Sequence, residues 1–127
     1  METDEERLAR QAENKRVTKH LHHKKKMQDP EYKKYFNDLN WARNLMVKFG
    51  ITAAEYHSML EAQNGVCAIC LGVNKNGKRL SVDHNHETGK VRGLLCQRCN
   101  LCIGQFEEDQ GTLLRAVDYL LKYNQTD

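Results

Sequence analysis

The chain has 127 residues, of which 29% are charged and 39% hydrophobic, with a formal net charge of +3. That length fits one small core with extensions, and so polar a composition excludes a large apolar interior, so a staple such as a structural metal is expected. No run of about 20 apolar residues is present, which excludes a membrane-spanning helix.

Residues 1–28 are polar, with Leu8, Val17 and Leu21 scattered and no apolar stripe. They read as a solvated helix or as an arm that orders on a polyanion. Met1–Arg10 is charged and lacks a signal-peptide core, so a cytoplasmic location is expected. Residues 14–26 hold six Lys/Arg (Lys15, Arg16, Lys19, Lys24, Lys25, Lys26) and no acid. His20, His22 and His23 in that run read as cationic decoration. Asp29-Pro30 starts a helix, with Asp as N-cap and Pro in its first turn. Tyr32, Tyr35, Phe36, Leu39, Ala42, Met46 and Phe49 recur at helical steps up to a stop at Gly50. Thr52 and Glu55 form a capping box for a short helix carrying Tyr56, Met59 and Leu60, which stops at Asn64-Gly65. Asn74–Gly77 is a turn, Arg79–Asp83 a strand, Glu87–Gly89 a turn and Lys90–Leu95 the returning strand. A helix follows from Gln97 to about Phe106, and a last amphipathic helix uses Leu113, Ala116, Val117, Leu120 and Leu121.

Cys67-Ala-Ile-Cys70 and Cys96-Gln-Arg-Cys99 are CxxC pairs separated by 25 residues. With an odd total of five cysteines and no signal-peptide core, they read as reduced thiolates, not disulfides. Four cysteines close a tetrahedral zinc sphere, leaving no position for water, so this zinc is expected to be structural. Cys102 reads as a small buried apolar residue.

Catalysis then needs other groups, and Asp83, His84 and Asn100 are placed by the clip. A carboxylate and an amide oxygen suit a hard cation, Mg²⁺ or Mn²⁺. An imidazole suits proton removal from an attacking water. Adjacent strand residues face opposite ways, so Asp83 and His84 share a site only if the strand ends or twists between them. His86 contacts the phosphate, completes the metal shell or merely bonds to its own loop. Lys90, Arg92 and Arg98 add to a local basic surface, which suits nucleic acid.

The stretch CAIC…VDHNHETGKVRGLLCQRCN…G, with the preceding KFGIT-x-x-EY-x-x-ML-x-x-Q-x-G-x-C segment, resembles the phage recombination endonuclease VII family, a branch of the HNH or ββα-metal nucleases. The resemblance covers roughly residues 40–121. It implies zinc on Cys67, Cys70, Cys96 and Cys99, a catalytic Mg²⁺ on Asp83 and Asn100, His84 as general base and His86 assisting at the phosphate. It also implies cleavage of branched or mismatched DNA, often by a homodimer, and for a phage-encoded chain a host bacterial cytoplasm. Two departures stand out. Some members carry an acid three positions after the Asn, where this chain has Ile103. The chain also runs only a short way past its last expected helix, so the long C-terminal region of junction-resolving members is not carried over.

The expected fold is small α+β: a zinc-stapled ββα-metal core flanked by helices. The expected divisions are a basic arm (1–28), a helical segment suited to dimerisation (29–65), the nuclease core (66–106) and a C-terminal helix (107–127). The rival readings are a nicking or homing-type HNH enzyme acting on ordinary duplex, and a non-catalytic zinc module that binds DNA or a protein.

Overall fold

The computed structural model describes residues 2–124. The element order is α1 (Asp4–Lys26), α2 (Pro30–Phe49), α3 (Ala53–Ala62), β1 (Ser81–His84), β2 (Val91–Leu95), α4 (Gln97–Gln105) and α5 (Gln110–Tyr123). The architecture is α+β, with one two-stranded antiparallel sheet among the described residues. Two compact units divide between Asn44 and Leu45. No helix among the described residues is long and apolar enough to cross a membrane.

In the first unit, α1 is a helix with no buried residue. It is held by local chemistry. Thr3 and Glu6 form a capping box, the first turn carries Asp4, Glu5 and Glu6, and the last carries His23 and three lysines. Those charges complement the helix dipole at both ends. The break at Met27–Asp29 leads into Pro30, and Asp29 Oδ1 accepts the Glu31 N–H at 3.0 Å. Across that break the His23 ring lies 4.5 Å from the Phe36 ring. The Tyr32 hydroxyl lies 3.4 Å from His23 Nδ1. His23 is therefore a packing residue, unlike the decoration expected of it. The apolar stripe of α2 is only partly covered. Tyr35, Leu39 and Met46 are exposed, and the buried residue is Leu45.

The second unit begins at Leu45 and holds the core. Gly50 ends α2 at φ +69°, with its N–H on the Met46 carbonyl. The Thr52–Glu55 capping box then starts α3 as expected. Tyr56 is fully buried, and its hydroxyl donates to the Leu80 carbonyl at 2.7 Å. Burial holds that phenol above its ordinary pKa. The bond also explains why β1 begins at Ser81 and not at Arg79. The Leu80 carbonyl is taken by Tyr56, and Asn74 Nδ2 takes the Arg79 carbonyl at 2.9 Å. Tyr56→Phe removes the donor and leaves a buried carbonyl unmatched, so it should cost about 1–3 kcal/mol. Thermal denaturation measures this, and an unchanged midpoint would contradict it.

The strands pair Ser81 with Leu95, Val82 with Leu94, Asp83 with Gly93 and His84 with Val91. Gln63 from the end of α3 reaches β2: Nε2 donates to the Leu94 carbonyl at 2.9 Å, and Oε1 accepts the Leu94 N–H at 2.9 Å. This side chain therefore takes the place of a neighbouring strand along part of β2. Helix α4 packs on both strands. It turns Cys99 inward, with Asn100 and Ile103 half-buried beside it. Cys102 is exposed, correcting the expectation that it is buried. At 3.6 residues per turn it sits about 100° round the helix from Ile103. Leu113 and Ala116 of α5 are half-buried, while Val117, Leu120 and Leu121 are exposed.

Candidate metal and nuclease centre

The first cysteine pair sits on a knuckle. The Cys67 N–H bonds to the Gly72 carbonyl at 2.8 Å, and the Leu71 N–H to the Cys67 carbonyl at 3.0 Å. Leu71 adopts φ +58° to let the chain turn back. The second pair lies at the start of α4, where Cys96 is the N-cap and its sulfur lies 3.5 Å from the Cys99 N–H. The knuckle is tied to β2 through Ala68 N–H and the Leu94 carbonyl, at 3.1 Å. Asn74 Oδ1 accepts the Gln97 N–H at 2.8 Å and fixes the loop to the start of α4.

These elements bring the sulfurs of Cys67, Cys70, Cys96 and Cys99 within 4.8 Å of one another. Zn–S bonds of about 2.3 Å in a tetrahedron put sulfurs about 3.8 Å apart. The Cys70–Cys96 sulfur separation is 3.7 Å. Burial pushes the Cys67 thiol up, but the N–H groups of Cys70, Cys96 and Ile69 outweigh it and bring the thiol down to about 6. Cys70 is drawn down by the Gly72 N–H. Cys99 is pushed up to about 12 by burial and by the neighbouring sulfurs. Four sulfurs this close become thiolates together only around a cation, and soft thiolates in a tetrahedron fit zinc. The quartet can hold a metal ion. The Arg98 guanidinium is raised above its ordinary pKa by a hydrogen bond to the Cys70 sulfur, so this basic residue lies against the thiolates.

The hairpin carries the second set of residues. Its register shifts between Asp83 and His84, because Arg92 is an extra residue in β2 between the partners of those two positions. Such a bulge increases local twist and re-aims side chains. The shift falls between the two residues for which a twist or strand end is expected. The tip beyond it is closed by Asn85, whose Oδ1 accepts the N–H groups of Glu87 at 2.9 Å and Thr88 at 2.8 Å. The Asn85 N–H takes the Lys90 carbonyl at 2.8 Å, so the ladder proper begins at Val91.

Asp83 is only 7% exposed and is the buried charged side chain among the described residues. Arg92 grips it through Nε to Oδ2 at 2.7 Å and Nη2 to Oδ1 at 2.9 Å. The same guanidinium reaches Glu108, Nη1 to Oε2 at 2.8 Å and Nη2 to Oε1 at 2.9 Å. The hydrogen bonds to Asp83 first and to Glu108 second hold Arg92 above its ordinary pKa, and the bonds from Arg92 hold Glu108 below the usual carboxylate range. His86 Nε2 lies 3.5 Å from Glu108 Oε1. The His86 ring stacks on His84 with centroids 5.1 Å apart and an interplanar angle of 18°. The Phe49 ring also contacts His84, with centroids 5.4 Å apart. Asp83 and His84 thus open onto one chain of contacts through Arg92, Glu108 and His86. A cleft of ≈ 470 Å³ lies beside it, between the hairpin tip (Asn85, His86, Glu87) and the α4–α5 turn (Gly104, Glu107, Glu108).

Of the residues singled out in sequence, Asp83, His84 and His86 meet here, and Asn100 lies half-buried on α4. Lys15, Arg16, Lys19, Lys24, Lys25, Lys26 and Lys90 are exposed, whereas Arg92 is engaged by two carboxylates. Glu108 was not foreseen. Its one sequence signal is an acid in the break between two helices, 16 residues beyond its partner.

A family model described as recombination endonuclease VII matches residues 42–122, more than half of the chain. The Gene 59 protein of Mycobacterium phage D29 is 46% identical over 93 residues, covering 72% of this chain and 56% of that protein. The Gene 59 protein of Mycobacterium phage L5 is 41% identical over 92 residues, with the same coverage of each. The chain therefore matches little more than half the length of these curated relatives. The matched span contains both cysteine pairs, the Asp-His pair, the bulge and Glu108, and the chain belongs to the recombination endonuclease VII family.

Proposed function

We propose that the protein is a DNA endonuclease of the HNH type that hydrolyses phosphodiester bonds, with branched or mismatched DNA as its preferred substrate. The observation that supports this reading is the bulge between Asp83 and His84, beside which Arg92, Glu108 and His86 link the buried carboxylate to the imidazole; the neighbouring cleft is lined by His86 and Glu108. Zinc on Cys67, Cys70, Cys96 and Cys99 is the staple. Asp83 and Asn100 offer the oxygen donor set that fits Mg²⁺ or Mn²⁺. That ion, when bound, supplies electrostatic stabilisation at the scissile phosphate.

The remaining chemistry belongs to the chain. His84 accepts the proton of the attacking water, its ring held by contacts with Phe49 and His86. His86 is exposed beside it and is set to hydrogen-bond a phosphate oxygen. Arg92 holds Asp83 in one orientation. Lys90 at the hairpin and the lysines and arginine of α1 contact the flanking phosphates, and Arg98 approaches DNA beside the zinc cluster. In this reading residues 1–28 are a DNA-binding arm, 29–65 a helical segment, 66–106 the catalytic core and 107–127 the C-terminal helix, although Met1 and residues 125–127 lie outside the described part. The exposed Tyr35 and Leu39 of α2 suit pairing with a second copy, which sedimentation at micromolar concentration tests. The site of action is the host bacterial cytoplasm.

A cleavage assay on perfect duplex, mismatch, flap and four-way junction tests the substrate. Branched or mismatched DNA should be cut fastest with added Mg²⁺. Equal cutting of plain duplex would favour a nicking or homing-type enzyme, and no cutting of any DNA would leave a non-catalytic zinc module. Removing residues 1–28 should weaken binding to every DNA shape and flatten the salt dependence, each lost phosphate contact reducing the log–log slope by about 0.9. An unchanged slope would exclude the arm from the DNA interface.

A further inference from the structure

Glu108 has no part in the chemistry assigned above, yet it joins the two halves of the site. One of its oxygens takes Arg92 Nη1 and the other Nη2, at 2.8 and 2.9 Å. Arg92 in turn holds both oxygens of Asp83. On its other side, Glu108 Oε1 faces His86 Nε2 at 3.5 Å, and His86 backs the ring of His84. A single carboxylate therefore braces the candidate metal ligand through one neighbour and the candidate base through another.

The backbone that delivers Glu108 is unusual. Glu107 and Glu108 adopt φ +51° and +56° in succession. In that region the Cβ of an L-residue crowds the following carbonyl oxygen, and glycine or asparagine is the ordinary occupant. Such conformations persist only where the surroundings over-determine them. Here the Glu108 N–H closes on the Ile103 carbonyl at 3.0 Å, and Asp109 immediately caps α5. A turn alone would be made more easily by glycine. What glutamate adds at this position is its carboxylate.

Resting on the nuclease reading above, we propose that Glu108 is a positioning residue. It fixes the Arg92 guanidinium that orients Asp83 and braces the His86 ring behind His84. It also sets the local charge. Asp83 and Glu108 against Arg92 leave one net negative charge to attract a divalent cation, and without Glu108 that charge is cancelled.

The test compares the full-length wild type with Glu108→Ala, Glu108→Gln, Arg92→Ala and the double variant Arg92→Ala/Glu108→Ala. Single-turnover cleavage at saturating Mg²⁺ and the Mg²⁺ concentration for half-maximal rate are measured alongside thermal midpoint and zinc content. Without DNA, Mn²⁺ broadening of the His84 and His86 ring resonances reports ion binding directly. Glu108→Ala should lose on the order of 10²-fold in rate, the loss expected when a catalytic group is misplaced by about 1 Å. It should need more Mg²⁺ and more Mn²⁺, with zinc retained. Glu108→Gln keeps one acceptor for Arg92 and should fall between. The double variant should lose clearly less than the sum of the two single losses, because Glu108 acts mainly through Arg92 and only in part through His86 and the local charge. Wild-type rate and Mn²⁺ response in Glu108→Ala, or fully additive losses, would overturn the proposal. A drop confined to thermal midpoint would do so too. If the wild type itself cuts no DNA, the nuclease reading fails, and the Mn²⁺ titration still decides whether Glu108 organises an ion site.

Discussion

His84→Ala should reduce DNA cleavage by about 10²–10⁴-fold, the range for losing a positioned general base. Zinc content, fold and DNA affinity should stay close to wild type, because His84 is outside the cysteine quartet. The imidazole is only half-buried, and its neighbours Phe49 and His86 make ring contacts, so its removal leaves no unpaired buried charge. Asp83→Ala and Asn100→Ala should also inactivate, but through a weaker response to Mg²⁺. The distinction shows in a Mg²⁺ titration of single-turnover cleavage. His84→Ala should saturate at the wild-type concentration with a low plateau, while the other two should shift the curve to higher Mg²⁺. Asp83→Asn is a useful companion, since it keeps one acceptor for Arg92 and separates lost ion binding from a disturbed salt bridge. Wild-type cleavage by His84→Ala would remove the mechanism.

What could be read in the sequence were the features that local rules decide. The Thr52–Glu55 capping box, the stop at Gly50 and the start at Pro30 each depend on a few neighbouring residues. The cysteine quartet was legible because paired CxxC spacing constrains geometry tightly. The bulge was not. Nothing in Val91-Arg92-Gly93 announces that Arg92 will be the extra residue, because register emerges from the pairing of both strands and their packing on Gln63 and α4. The start of β1 shifted for a similar reason. Tyr56 and Asn74 are distant in sequence, and they take the carbonyls that a strand at Arg79 and Leu80 would have used. Arg92 was read as a phosphate contact from its charge alone, whereas its partners, Asp83 and Glu108, lie on opposite sides of it in sequence. Cys102 was placed inside by composition, and helix phase puts it outside. In each case the missing information is long-range pairing, which period and propensity do not contain.

Replacing a zinc ligand should do something different in kind: Cys67→Ser or Cys99→Ser should unfold the region around the hairpin instead of yielding a folded, inactive protein. The argument is one of magnitude. Structural zinc sites in finger peptides contribute roughly 10–16 kcal/mol of apparent binding free energy, against a total stability of about 5–15 kcal/mol for an ordinary domain. Here little else is available to replace it. The buried apolar residues are Leu45, Tyr56, Leu80, Val82, Leu94 and Leu95, together with Cys67, Cys96 and Cys99. Three members of the core therefore belong to the same cysteine quartet. Without the ion, Cys67 and Cys70 favour the thiolate while Cys99 resists it, so the sulfurs are mismatched in charge as well as unanchored. Helix α1, held by its own caps and charges, should survive. Hydrogen exchange should accordingly show lost protection at Val82, Leu94 and Leu95 with α1 unchanged from wild type. Purified wild type should carry about one zinc per chain, the content of a single closed tetrathiolate site. It should keep that zinc through mild chelation and yet require added Mg²⁺ or Mn²⁺ to cut DNA. Active, folded protein without zinc, or Cys67→Ser with the β2 amides still protected, would show that the quartet is not what holds this core together.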